Sequence, residues 1–209
     1  MRFDLHVHSS ISPCSRLSLD DILNMAGSRG LDGVCITDHD STEIRHWIED
    51  GLQANGLCVI IGQEYTTPQG DFLLFGPYEH LPCGWSATRL LSHVQSTGGA
   101  AIAAHPFRHH RPVAEEILRS GLCQILEKVN GRNTLGENDL ASTWLERFPI
   151  NPVGGSDAHT LDELGRVPVW IDMPVLSRAD LIQALLTPAC VTLACSGYGQ
   201  GGLDVAACG

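Results

Sequence analysis

The sequence has no paired cysteine motif, no long apolar run and no excess of basic residues, and each absence argues against a class of protein. None of its eight cysteines forms a Cys-x-x-Cys pair, so we expect free thiols in a reducing cytoplasm. No apolar run approaches the roughly 20 residues of a membrane helix, and the N-terminus lacks the apolar core of a signal peptide. The formal charge of −11 argues against a nucleic-acid-binding surface. We therefore expect a cytoplasmic protein that binds neither a membrane nor a nucleic-acid polymer, and the oligomeric state is left open.

Strand-like apolar runs alternate with amphipathic helical segments along the chain. The predicted strands cover residues 1–8, 33–36, 58–62, 71–75, 100–104, 122–129, 150–154, 167–171 and 190–194. The predicted helices cover residues 19–29, 41–55, 86–97, 112–120, 135–147 and 178–186. Ser18 is a predicted N-cap of the first helix, and Gly30 a predicted stop. No Gly-x-Gly-x-x-Gly follows the first strand and no Walker A sequence occurs, so a nucleotide-binding sheet has no specific support.

This alternation predicts a parallel α/β fold with its functional site at the carboxyl ends of the strands. At roughly 30 residues per β-α-β step, the 209 residues allow about seven units. A distorted (β/α)7 barrel fits that arithmetic, and an open doubly wound sheet is the alternative. Residues 1–195 are expected to form a single domain, followed by a Gly- and Ala-rich tail, 196–209.

Histidine and carboxylate residues recur at the ends of the predicted strands. His6 and His8 are two residues apart in the first strand, so their imidazoles are expected on the same face. Imidazole and carboxylate side chains are the common protein ligands of zinc, manganese and iron. The strand ends bring together His6, His8, Asp38, His39, Asp40, Glu64, His105, Asp157 and His159. Their joint placement predicts a metal centre, although His-x-His alone is more often part of a polar face.

The ordered motifs resemble those of the PHP (polymerase and histidinol phosphatase) family. The resemblance extends from residue 4 to about residue 172. It is carried by His6-Val7-His8, Thr37-Asp38-His39-Asp40, Gly62-Gln63-Glu64, Ala104-His105-Pro106 and Ser156-Asp157-Ala158-His159. The resemblance implies a distorted (β/α)7 barrel with two or three divalent metal ions, and an activity that hydrolyses phosphate esters.

The family pattern also implies which residues bind which metal. Four ligands are expected around one metal: His6, His8, Glu64 and Asp157. Glu64 is expected to bridge to a second metal, which His105 also binds, and His39 and His159 are expected to hold a third. Zn, Mn and Fe all suit these ligand types.

The sequence departs from the family pattern in the loop after the first strand and after Glu64. Pro13 and Cys14 stand where many relatives have an Asp or a His ligand. Cys14 could replace that ligand or could be a solvent-facing thiol. Many relatives also have a His a few residues after the bridging Glu. Asp71 is the predicted metal ligand for that place and His80 is the second choice, while a plain surface Asp is also possible.

Basic residues after His105 are candidates for substrate contact and catalysis. Arg108 could grip a phosphate oxygen with both guanidinium arms, and His109 or His110 could donate a proton to the leaving alkoxide. A solvated loop is the simpler interpretation. After another strand, Asn130 and Arg132 could bind substrate or support the ligands.

Asp38 and Asp40 follow a strand end but are expected to orient metal-bound histidines rather than bind metal. Asp40 is counted among the catalytic residues in that sense, and a helix N-cap is its alternative role.

The resulting functional prediction is a metal-dependent phosphoesterase that cleaves a small phosphorylated substrate, a monoester or a diester, with metal-activated hydroxide. Hydrolysis of an amide or lactone on the same centre is the first alternative, because such a hydroxide does not by itself select phosphorus over carbon. A non-catalytic metal-binding domain is the second.

Overall fold

Eleven strands and five α-helices form within residues 1–194, the part of the chain that this computed structural model describes. The strands are β1 (Arg2–Val7), β2 (Gly33–Ile36), β3 (Gly51–Leu52), β4 (Cys58–Ile61), β5 (Gln63–Thr67), β6 (Gly70–Phe75), β7 (Ala100–Ala103), β8 (Ile125–Asn130), β9 (Asn151–Gly155), β10 (Val169–Ile171) and β11 (Val191–Leu193). The α-helices are α1 (Leu19–Met25), α2 (Ala87–Ser96), α3 (Glu115–Arg119), α4 (Leu135–Leu145) and α5 (Arg178–Leu186). The short 3-10 helices are Gly27–Arg29, Glu43–His46 and Leu161–Glu163. The predicted tail, 196–209, lies outside the described residues.

The strands form two mixed sheets, so the prediction of an α/β fold is confirmed but the prediction that its strands are parallel is only partly right. One sheet has the order β11-β10-β1-β2-β4-β3 and the other β5-β6-β7-β8-β9. Neighbours β1, β2 and β4 are parallel, as are β7, β8 and β9, whereas β6 is antiparallel to both β5 and β7. Only Pro68 and Gln69 separate β5 from β6. A connection that short allows only antiparallel pairing, because a parallel pair needs a crossover of a dozen residues or more.

The two sheets meet at two isolated bridges, Val7 with Ala158 and His39 with Glu64. Both bridges lie at the ends of strands where the predicted ligands cluster. The strand pairing within residues 1–194 therefore shows two sheets joined at the site rather than one continuous ladder of seven parallel strands.

The first strand departs from simple alternation, and this positions its histidines. Its pairing with β2 shifts register between Asp4 and Val7. Phe3 and Leu5 pack in a core that contains side chains from both sheets and α5, whereas Val7 packs in another cluster with Ile22 of α1. His6 is fully buried. A local irregularity of this kind turns side chains away from strict alternation.

The helix predictions were right for α1 and wrong for residues 41–55. Ser18 Oγ accepts a hydrogen bond from the Asp21 backbone N–H, as expected of an N-cap, and Gly30 is left-handed with φ 73°. The segment 41–55 instead contains the 3-10 helix Glu43–His46 and then β3. Gly51 adopts φ 119°, which an α-helix does not allow.

None of the helices in the described part of the chain is both long and apolar enough to cross a membrane.

Candidate metal centre

The predicted ligands lie around one point because five chain segments reach it from the two sheets. His6 lies in β1 and His8 directly after it, His39 follows β2, and Glu64 is the second residue of β5. His105 follows β7, and Asp157 and His159 follow β9. All except His39 are buried. Parallel strands bring such carboxyl-terminal residues together at one edge, which explains why sequence-distant residues converge.

Four ligand atoms form the tightest group. His6 Nε2 and His8 Nε2 are 3.0 Å apart. Glu64 Oε2 lies 3.4 Å from His6 Nε2 and 3.2 Å from His8 Nε2, and Asp157 Oδ1 lies 3.5 and 3.3 Å from the same two atoms. Ligand atoms bound at roughly 2.0–2.2 Å to one ion are themselves about 3–3.5 Å apart. His6, His8 and Asp157 therefore form a group that could hold a divalent metal ion, and Glu64 Oε2 lies close to both of its imidazoles.

Glu64 provides the clearest sign that a cation belongs here. Its Oε2 is buried, lies 2.9 Å from His39 Nδ1 and close to both His6 and His8, yet makes no hydrogen bond within residues 1–194. The short distances are ligand-to-ligand approaches rather than hydrogen bonds, because the directional geometry of a hydrogen bond is missing. A buried anionic oxygen without a hydrogen bond is costly, and a metal ion would satisfy it.

A second group forms at the other oxygen of Glu64. Glu64 Oε1 is 2.7 Å from His105 Nε2, and Asp71 Oδ2 is 3.9 Å from the same nitrogen. Ligand atoms of Glu64, Asp71 and His105 all lie within 4.8 Å of one another. His80, the second choice in the sequence, is exposed and lines a separate cavity of about 310 Å³. The structure thus brings Asp71, and not His80, close to the Glu64 carboxylate.

A third group consists of histidines alone. Ligand atoms of His8, His39 and His159 lie within 4.8 Å of one another. His159 Nδ1 is 2.8 Å from the backbone oxygen of Asp157, so this nitrogen donates and Nε2 is left for an ion. Burial and the neighbouring His8 lower the pKa of His159 to about 4, which keeps it neutral at pH 7 as a ligand must be.

Glu127 supports two of the ligands, and sequence reasoning missed this role. One Glu127 oxygen lies 2.9 Å from His6 Nδ1, and the other accepts hydrogen bonds from the His105 backbone N–H and from Asn130 Nδ2. The bond to Nδ1 makes that nitrogen the donor and leaves His6 Nε2 free for a metal. The signal available in the sequence was the position of Glu127 directly after the apolar Ile125 and Leu126. A carboxylate in such a strand is expected to be buried, and a buried carboxylate normally has a specific partner.

Asp38 orients His8 through a serine. Ser12 Oγ donates to Asp38 Oδ1 at 2.6 Å and is therefore free to accept from His8 Nδ1, 3.2 Å away. Ser9 also donates to Asp38. Asp38 therefore stands behind a candidate ligand, and it belongs to none of the ligand groups found within residues 1–194.

Asp40 has a different position from the one expected. It is exposed, has φ 47°, and accepts a hydrogen bond from the Thr66 backbone N–H, so it ties the His39 loop to β5. The N-cap of the following 3-10 helix is Thr42, which excludes the alternative cap role of Asp40. Within the described residues its carboxylate makes no hydrogen bond to a candidate ligand ring.

Cys14 and Pro13 do not fill the missing ligand position. Both are exposed, and Cys14 belongs to none of the ligand groups found within residues 1–194. Partial burial raises the pKa of the Cys14 thiol, so the thiolate that binds metals is disfavoured at pH 7.

Arg108 contacts the candidate ligand Asp157 directly. Its Nη2 donates to Asp157 Oδ2 at 2.7 Å and to Asn130 Oδ1 at 2.9 Å, and its Nε donates to Asn133. Asn130 is fully buried, and its amide also contacts Glu127 and the Arg132 backbone, so it supports the site rather than facing substrate.

Arg132, His109 and His110 are exposed on the surface around the site. Arg132 lies 3.7 Å from Glu163, and His109 packs its ring against His110. Neither Arg132 nor His109 forms a side-chain hydrogen bond or ion pair with a candidate ligand in the described part of the chain.

Buried charge in the site calls for a cation. Burial alone would lower the pKa of His6. The carboxylates of Glu127, Asp157 and Glu64 outweigh burial and together raise this pKa well above its usual value. Burial also opposes ionisation of Glu64 and Asp157, yet His6 and the other imidazoles hold the pKa of each carboxyl well below its usual value. The positive charge of protonated His6 therefore balances the buried carboxylates, as the charge of a bound metal ion would.

The backbone is strained at three residues in or next to the candidate metal centre. Asp40, His105 and Asp157 have φ of 47°, 30° and 53°, the left-handed region that non-glycine residues rarely adopt. Such strain costs on the order of 1–3 kcal/mol and persists where the surrounding structure enforces it, commonly at functional sites.

Comparison with known families agrees with the geometry. The PHP domain profile matches residues 4–119, more than half of the chain, and the PHP-associated profile matches residues 136–190. The chain therefore belongs to the PHP domain family.

Individual relatives are distant. The uncharacterized protein MJ1587 of Methanocaldococcus jannaschii is 33% identical over 119 residues, which span 51% of this chain and 68% of that protein. Among solved structures, PsfC from Pseudomonas syringae PB-5123 has a TM-score of 0.70 at 18% identity and covers 87% of each chain.

Two further solved structures share the fold. A two-domain protein of Bacteroides vulgatus ATCC 8482, containing a predicted PHP-like metal-dependent phosphoesterase, has a TM-score of 0.64 at 18% identity, over 88% of this chain and 62% of that one. The lesion-specific endonuclease PfuEndoQ from Pyrococcus furiosus has a TM-score of 0.67 at 19% identity, over 92% of this chain and 58% of that one. At these identities the likeness concerns the fold.

Proposed function

We propose that this protein is a metal-dependent phosphoesterase that hydrolyses a small phosphate monoester or diester, with two or three divalent ions of Zn, Mn or Fe. The proposal rests above all on Glu64. Its two oxygens face two different groups of ligands, and one of them is buried among three imidazoles without a hydrogen bond. A carboxylate in that position suits a centre in which two ions share one bridging ligand.

The architecture and the cellular setting belong to the same proposal. The bridges Val7 with Ala158 and His39 with Glu64 connect the ends of β1 and β2, two inner strands of one sheet, to the chain at β9 and β5, the two edge strands of the other, which supports a distorted (β/α)7 barrel. Free thiols at Cys35, Cys58 and Cys123 support a reducing cytoplasm.

Bound divalent ions would supply two kinds of chemistry: they stabilise charge on phosphoryl oxygens and lower the pKa of a coordinated water toward about 7. The chain's own residues prepare the site for this. Glu127 and the Ser12–Asp38 pair each fix a histidine tautomer, and burial excludes bulk water from His6, His8 and Glu64. Fixed donors in a site without bulk water need little reorganisation during reaction.

Arg108 is the proposed phosphate-binding residue. Its side chain is 26% exposed, and Nη2 is anchored on Asp157. Because Nε and Nη2 already donate to Asn133, Asn130 and Asp157, Nη1 is the nitrogen left to donate to a phosphate oxygen beside the first ligand group. Arg132 stands further out and would contribute charge to the approach of an anion.

Proton donation to the leaving group is assigned to His109, with His110 as its neighbour. Both are exposed on the loop that begins at His105, and the backbone of His109 is anchored on Glu137. Exposure allows the ring to turn toward a bound substrate. We expect a His109→Ala variant to lose more activity on alkyl phosphates than on p-nitrophenyl phosphate, because only the alkoxide needs the proton.

The decisive experiment combines metal analysis with a substrate screen on one sample purified without added metal. We expect two or three equivalents of Zn, Mn or Fe, and turnover of at least one phosphate ester. The panel contains p-nitrophenyl phosphate, bis-p-nitrophenyl phosphate, nucleoside monophosphates, a short single-stranded oligonucleotide, and a set of amides and lactones.

A Glu64→Gln variant should lose both metal and turnover, and Glu116→Gln, on the exposed face of α3, is the matched control. Stoichiometric metal with hydrolysis only of amides or lactones would contradict the phosphoesterase assignment. Metal without any turnover, on a panel where the wild type and Glu64→Gln behave alike, would favour a non-catalytic metal-binding domain. Preference for the oligonucleotide would replace the small substrate by a nucleic acid.

A further inference from the structure

Two arginines of one loop each form an ion pair with one oxygen of a candidate ligand carboxylate. Arg108 Nη2 binds Asp157 Oδ2 at 2.7 Å, and Arg111 Nη2 binds Asp71 Oδ1 at 2.8 Å. In each carboxylate the other oxygen is the one that faces the imidazoles: Asp157 Oδ1 toward His8 and Asp71 Oδ2 toward His105.

The loop that carries these arginines is internally hydrogen-bonded. The Arg108 backbone N–H donates to the His105 carbonyl at 2.9 Å, and the Arg111 backbone N–H donates to the Arg108 carbonyl at 3.0 Å. Val113 N–H closes the loop onto the Pro106 carbonyl. A candidate ligand and both arginines therefore sit at regular intervals on one rigid turn, so the arginines are held in fixed positions relative to His105.

Arg111 is also fixed from the opposite strand. Its Nη2 donates to Thr66 Oγ1 at 2.9 Å, and Thr66 in β5 is the register partner of Asp71 in β6. The Asp71 carboxylate is only 2% exposed, so its charge must be matched by nearby groups. Arg111 meets that requirement at the outer oxygen and leaves the inner oxygen directed toward His105 and Glu64.

We propose that Arg111 is a positioning residue for the second metal ion: it holds Asp71 by the outer oxygen so that the inner oxygen can bind the ion shared with Glu64 and His105. Arg108 has the same relation to Asp157 in the first group. The inference depends on the metal centre of the proposed function but not on its substrate.

The test is zinc binding to apoprotein, measured by competition with a chromophoric chelator. We expect Arg111→Met to lower the affinity for one of the bound zinc ions by about 10- to 100-fold, the usual effect of losing a residue that orients a ligand. The affinities for the other zinc ions should stay within about twofold of the wild-type values. Arg111→Lys keeps the charge but not the guanidinium fork, so it should restore part of the affinity. Arg119→Met, on exposed α3, is the matched control.

A double-mutant cycle separates positioning from a general effect of charge. Asp71→Asn should weaken the same equivalent, and adding Arg111→Met to it should have little further effect, because the arginine then has no carboxylate to hold. Unchanged or tighter zinc binding by Arg111→Met, equal weakening of every equivalent, or additive effects in the cycle would each overturn the inference. A wild-type chain that binds none of Zn, Mn and Fe would instead contradict the proposed function.

Discussion

The two ligand groups that share Glu64 differ in how completely they are formed. In the first, His6 Nε2 and His8 Nε2 lie 3.0 Å from each other and 3.2 to 3.5 Å from the nearest oxygens of Glu64 and Asp157. In the second, Glu64 and His105 are 2.7 Å apart, but Asp71 is 3.9 Å from the histidine. The histidines of the first group are in close contact with both carboxylates, whereas Asp71 lies further from the histidine of the second group.

Their supports differ in the same direction. His6 and His8 are each held at Nδ1, by Glu127 and by Ser12, and both supports are buried. His105 Nδ1 is buried with no hydrogen bond in the described chain, and Asp71 depends on Arg111, whose side chain is 45% exposed. Ligands fixed by buried partners reorganise less on binding. We therefore expect the first group to bind the tighter ion.

The largest expected effect comes from comparing the two aspartates. Asp157→Asn should lower kcat/KM on the order of 10³-fold, because a metal site contributes several kcal/mol to transition-state stabilisation. Asp71→Asn should cost about 10- to 100-fold, because the second group is the looser one. The comparison is made by measuring kcat/KM of both variants at saturating metal. Glu116→Gln is the control. An equal loss in both aspartate variants would remove the distinction between the groups.

Glu127 tests whether the first group owes its order to buried support. Glu127→Gln should weaken binding of the tightest ion by about 10- to 100-fold, since the amide cannot accept from His6, His105 and Asn130 together. Chelator competition measures the affinity, and the thermal unfolding of the apoprotein shows whether the fold survives. An affinity equal to the wild type would mean that His6 needs no fixed tautomer.

The pH dependence of metal uptake should also distinguish the first group from the third, which consists of His8, His39 and His159. The pKa of His6 is raised well above its usual value and that of His159 is lowered to about 4. At pH 7 His6 therefore carries a proton that a metal must displace, whereas His159 is already neutral. Affinity of the first ion should rise roughly tenfold per pH unit from pH 6 to 7, with proton release. Calorimetry in buffers of different ionisation enthalpy measures the protons, and uptake without release would contradict the assigned charge on His6.

Much of the site could be predicted because its signal is local. A polar cluster directly after an apolar strand can be seen in the sequence, and strands that meet at one edge bring such clusters together. The supports could not be predicted in this way. Arg111 lies 40 positions from Asp71, and Glu127 lies 121 from His6, so neither pair shows any periodicity.

The fold errors have the same origin. Ile44 and Ile48 are both buried and four residues apart, which is a helical pattern. The real segment is shaped by distant contacts instead: Asp50 accepts a hydrogen bond from the Ile61 backbone N–H and pairs with Arg178. Tertiary interactions of that kind override local preference, and no window around residues 41–55 contains them.

The smallest expected effect concerns the two residues that the sequence offered as replacement ligands. Cys14 is exposed with a raised thiol pKa, and His80 lines a cavity whose lining contains no residue of either ligand group. Cys14→Ser and His80→Ala should each change zinc affinity and kcat/KM by less than about twofold, as is usual for surface substitutions away from such features. A loss of one metal equivalent in Cys14→Ser would show that the loop after β1 closes onto the first group when metal binds. The first group would then be no more completely formed than the second.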